Sequence, residues 1–200
     1  MWHSYSHLDK RINQKRRDEQ WAEAARKGRR YMERKHYKTN YSSPIGEVTL
    51  ASDGEALVGL WLTGQKYFGG TIPVEMEEKE DLAVFAAAEN WLDRYFAGER
   101  PDPKELPLAP IGGEFRQKVW QILLQIPYGQ VVTYGWISQK LGTGCAQAVG
   151  GAVGHNPISI IIPCHRVVGA GGKLTGYAGG LEKKLWLLRH EGIDAEKLKI

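Results

Sequence analysis

The sequence predicts an α+β protein, with a small antiparallel sheet in its first half and a helical domain in its second. From Tyr37 to Leu62, β-branched and aromatic residues are interrupted by turn residues, as in short antiparallel strands. From Gly113 onwards, the pattern is a run of helices joined by short turns. Four prolines between positions 101 and 110 separate the two patterns and indicate a linker.

The first half combines a strand meander with one helix. Turns are expected at Ser43–Gly46 and Ser52–Glu55, where turn-forming residues cluster between the strand segments. A helix is expected from Glu80 to Phe96, with Gly98 after its end because glycine readily adopts the left-handed conformation that terminates helices. The apolar face that packs on the sheet consists of Leu82, Phe85, Ala88, Leu92 and either Tyr95 or Phe96.

The second half contains the pattern of a helix-turn-helix unit. Helices are expected over Gly113–Ile126, over Thr133–Leu141 with its first residue as N-cap, and over Cys145–Gly154. A glycine-containing turn joins the last two, as in many DNA-binding proteins. A glycine-rich loop over residues 169–180 is a candidate wing, and a closing helix is expected over Leu181–His190.

These segments divide the chain into four parts. The first part, residues 1–36, is charge-dense and has few aliphatic residues to bury, so it is interpreted as an appendage. It is a basic arm for nucleic acid, a solvated tail, or upstream sequence that is not translated. The parts are a basic N-terminal extension (1–36), an N-terminal α/β domain (37–108), a C-terminal domain (109–195) and a tail (196–200).

Charge is distributed unevenly along the chain. Residues 1–40 carry a net charge of +7, residues 41–110 a net −8 and residues 111–200 a net +5, which give the formal total of +4. A basic C-terminal half suggests a polyanionic partner, because Lys and Arg displace counterions from phosphates; ordinary scatter of surface charge is the alternative. The longest apolar stretch, residues 158–163, is too short to cross a bilayer. Two cysteines without metal-ligand spacing fit a cytoplasmic protein.

The sharpest local feature is a cysteine between an apolar run and two basic residues. Ile160–Ile162 predict a buried strand, and Cys164 follows Pro163 and precedes His165 and Arg166. A thiolate is the nucleophile in group transfer, and neighbouring cationic or proton-accepting groups lower a thiol pKa from about 8.5. The alternative is a buried structural cysteine, because adjacent side chains of an extended segment point to opposite faces. Contact between thiol and imidazole therefore requires a bend after the proline.

Short strings along the second half occur in a fixed order and identify a family. They are Phe115–Trp120, Ile126–Gly129, Thr133–Gly135, Ala148–Gly150, Asn156–Pro157, Ile162–Val168, Gly176–Gly180, Leu187–Leu188 and Glu191–Gly192. Across about residues 38–195 the sequence resembles the methylated-DNA–protein-cysteine methyltransferases, also called O6-alkylguanine-DNA alkyltransferases. The Pro-Cys-His-Arg string is the signature of that family. The resemblance implies an N-terminal α/β domain with a small antiparallel sheet and a C-terminal DNA-binding and alkyltransferase domain with a winged helix-turn-helix.

The resemblance also implies a nucleophile, a base and an orienting carboxylate. Cys164 accepts the alkyl group, His165 removes the thiol proton through a water, and Glu191 orients and polarises the imidazole. Tyr134 donates a hydrogen bond to the guanine ring as the base leaves. Asn156 braces the turn between the second helix of the helix-turn-helix and the active-site strand.

The same resemblance implies that the Cys145–Gly154 helix enters the minor groove and that the damaged base is flipped out of the stack. The residues expected to contact DNA are Ala146, Gln147, Ala148, Gly150, Gly151, Arg166 and Tyr177. Gln147 departs from the arginine that is usual at its position, so weaker DNA binding or slower repair is expected. Ala178 stands where some relatives have a hydroxyl residue near the leaving oxygen.

The expected function is repair of double-stranded DNA containing O6-alkylguanine, by one irreversible transfer of the alkyl group to Cys164. The expected protein is a cytoplasmic monomer that needs neither cofactor nor metal, and the zinc ligands of some relatives have no counterparts in this sequence. Three alternatives remain: a lesion-binding relative that transfers nothing, a cysteine hydrolase, and a winged-helix transcription factor with an inert cysteine.

Overall fold

The computed structural model describes residues 35–70, 72, 75–194 and 198–199. The basic extension, apart from its last two residues, lies outside the described residues, as does most of the C-terminal tail. His36–Ile200 form one compact unit. Of the helices in the described ranges, none is both long enough and apolar enough to cross a membrane.

The first half of this unit is a four-stranded sheet in the order β3-β2-β1-β4. β1 (His36–Ser43), β2 (Gly46–Ser52) and β3 (Leu57–Leu62) form the expected antiparallel meander, with turns where the sequence places them. β4 (Met76–Glu78) pairs in parallel with β1 and was not expected. β4 is only three residues long and two of them are exposed glutamates, so its sequence shows no strand periodicity. Only its pairing with β1 makes it a strand.

One helix, α1 (Ala83–Phe96), packs against β1, β2 and β3. It begins three residues after the expected start at Glu80, because Leu82 still has extended backbone angles. Its C-terminus is confirmed: the N–H of Gly98, at φ 88°, donates to a carbonyl of the last turn at 3.0 Å. Its buried side chains are Val84, Phe85, Ala88, Trp91, Leu92 and Tyr95.

The outer edge of β3 is covered by two segments from later in the chain. Leu57 exchanges two backbone hydrogen bonds, of 2.8 and 2.9 Å, with the proline-rich linker, which also contains a 3₁₀ turn (Pro103–Glu105). Leu60 exchanges two more, of 2.8 and 2.9 Å, with the Pro157–Ser159 segment. An edge strand otherwise leaves its backbone groups unpaired, so this strand fixes the segment that leads to Cys164.

The second half is helical, as expected. It contains α2 (Glu114–Leu123), α3 (Tyr134–Lys140), α4 (Ala146–Gly154) and α5 (Leu181–His190), each within three residues of its predicted bounds. Thr133 is the N-cap of α3, and its hydroxyl accepts a first-turn backbone N–H at 3.1 Å. The helix-turn-helix pair is therefore α3 followed by α4.

The two halves share one hydrophobic core. Leu60 of the sheet, Phe85 of α1, Trp120 of α2 and Ile160 of the active-site segment belong to the same buried cluster. The Trp120 indole N–H also donates to a carbonyl of α4 at 2.9 Å. Packing is thus continuous across the linker.

Two short strands and two 3₁₀ turns complete the C-terminal half. β5 (Val132–Thr133) pairs in parallel with β6 (Val167–Val168), which follows a 3₁₀ turn at Cys164–Arg166. The glycine-rich loop contains a second 3₁₀ turn, Ala170–Gly172. A bridge joins Lys173 of this loop to Lys199. The β5–β6 pair places the N-terminus of α3 next to the active-site segment.

Candidate active site

The segment before Cys164 is not the buried strand that its apolar run predicts. Ile158 makes a single bridge to β3, and the chain then turns, with Ile160 at φ 69°. The N–H of Ile162 donates to the Ile158 carbonyl at 3.0 Å, so the turn satisfies backbone groups that a strand would have paired. The three consecutive isoleucines are buried, which explains the apolar run without a strand.

The expected bend after Pro163 is present, because Cys164–Arg166 form a 3₁₀ turn. The Cys164 side chain is buried, and its Sγ accepts a hydrogen bond from Asn156 Nδ2 at 3.1 Å. The same nitrogen donates to the Ile162 carbonyl at 2.8 Å, and the Asn156 side-chain oxygen accepts the backbone N–H of Ile158 at 3.1 Å. Asn156 therefore fixes the active-site turn and contacts the thiol as well.

His165 points towards the end of α5. Its Nε2 lies 2.7 Å from Oε1 of Glu191, and neither side chain has any exposed surface. A carboxylate only accepts hydrogen bonds, so the neutral imidazole carries its proton on Nε2 and keeps a lone pair on Nδ1. Among the described residues, Nδ1 has no hydrogen-bond partner. The imidazole can therefore receive a proton at Nδ1.

The Glu191 carboxylate accepts five hydrogen bonds. Oε1 accepts from the Tyr95 hydroxyl at 2.8 Å, His165 Nε2 at 2.7 Å and Arg166 Nη2 at 2.9 Å. Oε2 accepts from Arg166 Nε at 2.8 Å and the Gly129 N–H at 3.2 Å. Burial opposes ionisation, but the bonds and charges of His165 and Arg166 hold the pKa of Glu191 well below its usual range. The carboxylate is therefore an anion at neutral pH.

Arg166, which was expected to contact DNA, is an internal cation, and the structure corrects that expectation. Its side chain is only 10% exposed. Two guanidinium nitrogens donate to Glu191, and a third donates to the Ile126 carbonyl at 2.6 Å. The group also lies 5.7 Å from the centre of the Tyr128 ring. All three guanidinium nitrogens already donate inside the protein, so Arg166 has no pair of N–H groups with which to bind a phosphate.

Cys164 and His165 both favour their neutral forms at rest. Burial raises the pKa of the Cys164 thiol, although the Asn156 hydrogen bond and the Lys184 charge act in the opposite direction. Burial likewise lowers the pKa of His165, and it outweighs the attraction of Glu191. Cys164 is therefore a neutral thiol in the resting protein.

A cavity of about 180 Å³ lies at the mouth of this site. Tyr134 and Tyr177 line it. Burial raises the pKa of both phenols, and a negative charge on Cys164 raises it as well. Lys66 and Tyr67, from the loop after β3, also line the cavity and were not expected. The Tyr67 ring stacks on the imidazole of His155, which follows the last residue of α4, with ring centroids 3.9 Å apart. The other lining residues are Gly150, Gly154, Gly176 and Ala178.

Helix α4 divides its small residues between two faces. Ala146, Gln147, Ala148 and Gly151 are exposed, and Gly150 is half-buried at the cavity. The opposite face is buried in the core and consists of Val149, Ala152 and Val153. The residues expected to contact DNA on this helix are therefore accessible.

Lys184 is a second buried cation, and the sequence gives no signal for it. Its Nζ donates to the Val167 carbonyl at 2.6 Å and the Thr175 carbonyl at 2.7 Å. Burial lowers its pKa to about 8, whereas the charge of Cys164 raises it. Lys183 beside it in the sequence is only partly buried, so the orientation of α5 decides which lysine is internal.

Two family models match the chain. The 6-O-methylguanine DNA methyltransferase ribonuclease-like domain covers residues 36–110, and the DNA binding domain of the same name covers residues 114–193. Methylated-DNA–protein-cysteine methyltransferases of Mycobacterium bovis and Haemophilus influenzae are 48% and 42% identical over 158 residues. These alignments cover 78% of this chain and 92% and 87% of the relatives. A crystal structure of Mycobacterium tuberculosis OGT in complex with DNA aligns with a TM-score of 0.69 at 42% identity, covering 82% of this chain and 95% of that one.

Removing Arg166 should destabilise the protein rather than weaken DNA binding. In Arg166→Met, the buried carboxylate loses its bidentate partner, so we expect the free energy of unfolding to fall by roughly 3–5 kcal/mol. Chemical denaturation measures this loss, with Arg189→Met on the exposed face of α5 as the matched control. The internal role would be wrong if Arg166→Met kept its stability and instead lost DNA affinity with a shallower salt dependence.

Proposed function

The chain belongs to the 6-O-methylguanine DNA methyltransferase family, and on that premise we propose that Cys164 takes the alkyl group from O6 of guanine in double-stranded DNA. The activity is that of a methylated-DNA–protein-cysteine methyltransferase, a direct repair of damaged DNA. One arrangement of side chains supports the chemical roles that we assign to these residues. Cys164 is a buried thiol that accepts a hydrogen bond from Asn156, and the neighbouring His165 has an Nδ1 without a partner among the described residues and an Nε2 bonded to the Glu191 carboxylate.

The transfer is a displacement at the alkyl carbon. The thiol proton of Cys164 passes to Nδ1 of His165 through a water, and the sulfur forms a bond to the alkyl carbon as the carbon–O6 bond breaks. The imidazolium that forms is stabilised by Glu191, which stays ionised. The products are a thioether on the protein and an unmodified guanine.

Tyr134 supports the departure of the base. Burial raises the pKa of its phenol, so the hydroxyl stays protonated and can donate a hydrogen bond. Charge moves onto the purine as the carbon–oxygen bond breaks, and a positioned donor stabilises it. The purine takes up a proton, and the imidazolium of His165 returns one to the solvent, so the overall reaction conserves protons.

The reaction uses each protein molecule once. Water does not cleave a thioether, so Cys164 is not regenerated and transfer is stoichiometric with protein. The bond changes balance with thiol and alkylated DNA alone, and the proposal therefore includes no cofactor. Over the described residues, no three His, Cys, Asp or Glu side chains gather as a metal site requires.

DNA binds on the exposed face of α4 in this proposal. The target atom lies inside the duplex stack, so the nucleotide must be extruded before the thiol can reach it. Small residues allow the helix backbone to approach the minor groove, and the cavity beside Tyr134 receives the base. Tyr177 then contacts the extruded base rather than the phosphate backbone. We further infer a cytoplasmic monomer.

A lesion-binding protein that transfers nothing is less well supported. Such a protein has no use for a nucleophile, whereas here the thiol contacts Asn156 and sits beside an imidazole–carboxylate pair. The second cysteine, Cys145, is exposed, whereas Cys164 is buried.

Alkylation should occur at Cys164 alone. After reaction with an oligonucleotide duplex containing O6-methylguanine, peptide mass mapping should find one methyl group per protein, on the peptide that contains Cys164. Cys164→Ala should abolish transfer, and Cys145→Ala, which removes the exposed thiol, should leave it unchanged. Methylation elsewhere, or transfer that persists in Cys164→Ala, would contradict the assignment.

Gln147→Arg should strengthen DNA binding. Gln147 is exposed on α4, and arginine there adds a charge, a longer reach and a planar stacking group. We expect tighter binding, a salt dependence steeper by about 1 in slope, and an equal or faster transfer rate. Binding titrations over a salt series measure this, with Gln121→Arg on exposed α2 as a control for added charge alone. A clear loss of affinity or rate would exclude the proposed DNA face.

A further inference from the structure

The Tyr95 hydroxyl donates a hydrogen bond to Glu191 across 96 residues of sequence, from α1 to the end of α5. We propose that Tyr95 is a positioning residue of the transfer reaction: its hydroxyl limits the pull of Glu191 on His165, so that the imidazole stays neutral and ready to accept the thiol proton. The inference rests on the proposed function of His165 as the base. It gives the N-terminal half of the protein an indirect part in the chemistry, through Glu191.

The geometry holds the hydroxyl in one place. Tyr95 is 1% exposed, and its oxygen lies 2.8 Å from Glu191 Oε1. The ring stacks on Trp91 at 5.5 Å between centroids and meets the edge of Tyr128 at 6.1 Å. The Tyr95 carbonyl is bonded in turn to His190 Nε2 at 2.7 Å. The phenol therefore has little freedom to leave the carboxylate.

Tyr95 and His165 bond to the same carboxylate oxygen. Oε1 accepts from both, and also from Arg166, within 2.9 Å. Each donor neutralises part of the negative charge that the others experience, so the three bonds compete. Removing the phenol hydrogen concentrates the charge of Oε1 on the remaining donors, and this favours the imidazolium form of His165.

Among the described residues that act on His165, Glu191 is the one that favours its imidazolium form. Burial opposes the positive charge, as do the cations Arg166 and Lys184. Tyr95 and Tyr177 keep their protons, because burial raises the pKa of each well above its usual value. The protonation state of His165 therefore follows the charge on Glu191, which Tyr95 adjusts. The charged or titratable groups in the cluster are Tyr95, Tyr128, Cys164, Arg166, Tyr177, Lys184 and Glu191.

The test is a ring-specific NMR titration of His165 in the unreacted protein. Tyr95→Phe removes the oxygen and keeps the ring, and we expect the pKa of His165 to rise by roughly 0.5–1 unit. Tyr41→Phe is the matched control, because the Tyr41 hydroxyl donates to Asp93 of the same helix at 2.8 Å, away from the site. The acid limb of the transfer rate should move to higher pH by the same amount in Tyr95→Phe only, with unchanged affinity for undamaged DNA.

The outcomes separate this inference from the proposed function. An unchanged His165 pKa in Tyr95→Phe overturns the role of Tyr95, whether or not transfer occurs. Wild-type protein without transfer overturns the proposed function, and the titration still decides the role of Tyr95. If Tyr95→Phe does not fold, 3-fluorotyrosine at position 95 gives a more acidic hydroxyl and a stronger donor. The pKa of His165 should then fall, and a rise or no change overturns the inference.

Discussion

The negative charge of Glu191 lies inside the protein, where a carboxylate without partners would cost several kcal/mol. Five donors compensate that cost, and they come from α1, from the loop before β5 and from the 3₁₀ turn that contains His165 and Arg166. The site can therefore form only when these distant segments are all in place. Much of the architecture around it, including the bond from the N-terminal helix, satisfies this one charge.

The same cluster explains how a reactive thiol is stored safely. Burial keeps Cys164 protonated and His165 neutral, so the resting Cys164 is not an exposed thiolate that could be oxidised or alkylated at random. Asn156 and Lys184 lie ready to stabilise the anion once the proton leaves. The ionised carboxylate provides the matching stabilisation for the imidazolium. In the proposed mechanism, Cys164 therefore becomes reactive only when a base occupies the cavity and the thiol proton can move to His165.

The local elements of this fold could be predicted from sequence because their signals are local. The Thr133 cap, Gly98 after α1 and the length of α5 follow from spacing and capping, and the structure agrees. Cys164 and His165 stand out from their local string and Glu191 follows from the resemblance; the structure joins His165 to Glu191 and places the Cys164 thiol against Asn156.

The remaining features depend on tertiary contacts that no single segment encodes. An apolar run buried on all sides looks like a strand, so the turn before Cys164 was missed. Arg166 was expected at DNA from the resemblance, and the carboxylate that pairs with it lies 25 residues away in the sequence, so no local pattern indicates the pair. Tyr95 and Lys184 look like ordinary helix residues, and only the packing of α1 and α5 gives them partners in the site.

The central claim, that an ionised Glu191 organises the site, is tested most directly by following its carboxyl carbon by NMR as the pH is lowered. The account predicts that the signal stays at its carboxylate position in the folded protein at about pH 4, near which glutamates in water are half protonated. The contribution of the pair to stability should be complete above the ordinary glutamate pKa, should decline progressively below it, and should be lost once the pH has fallen through the depressed pKa of Glu191. A carboxyl that titrates at or above the ordinary glutamate value in the folded protein would contradict the account.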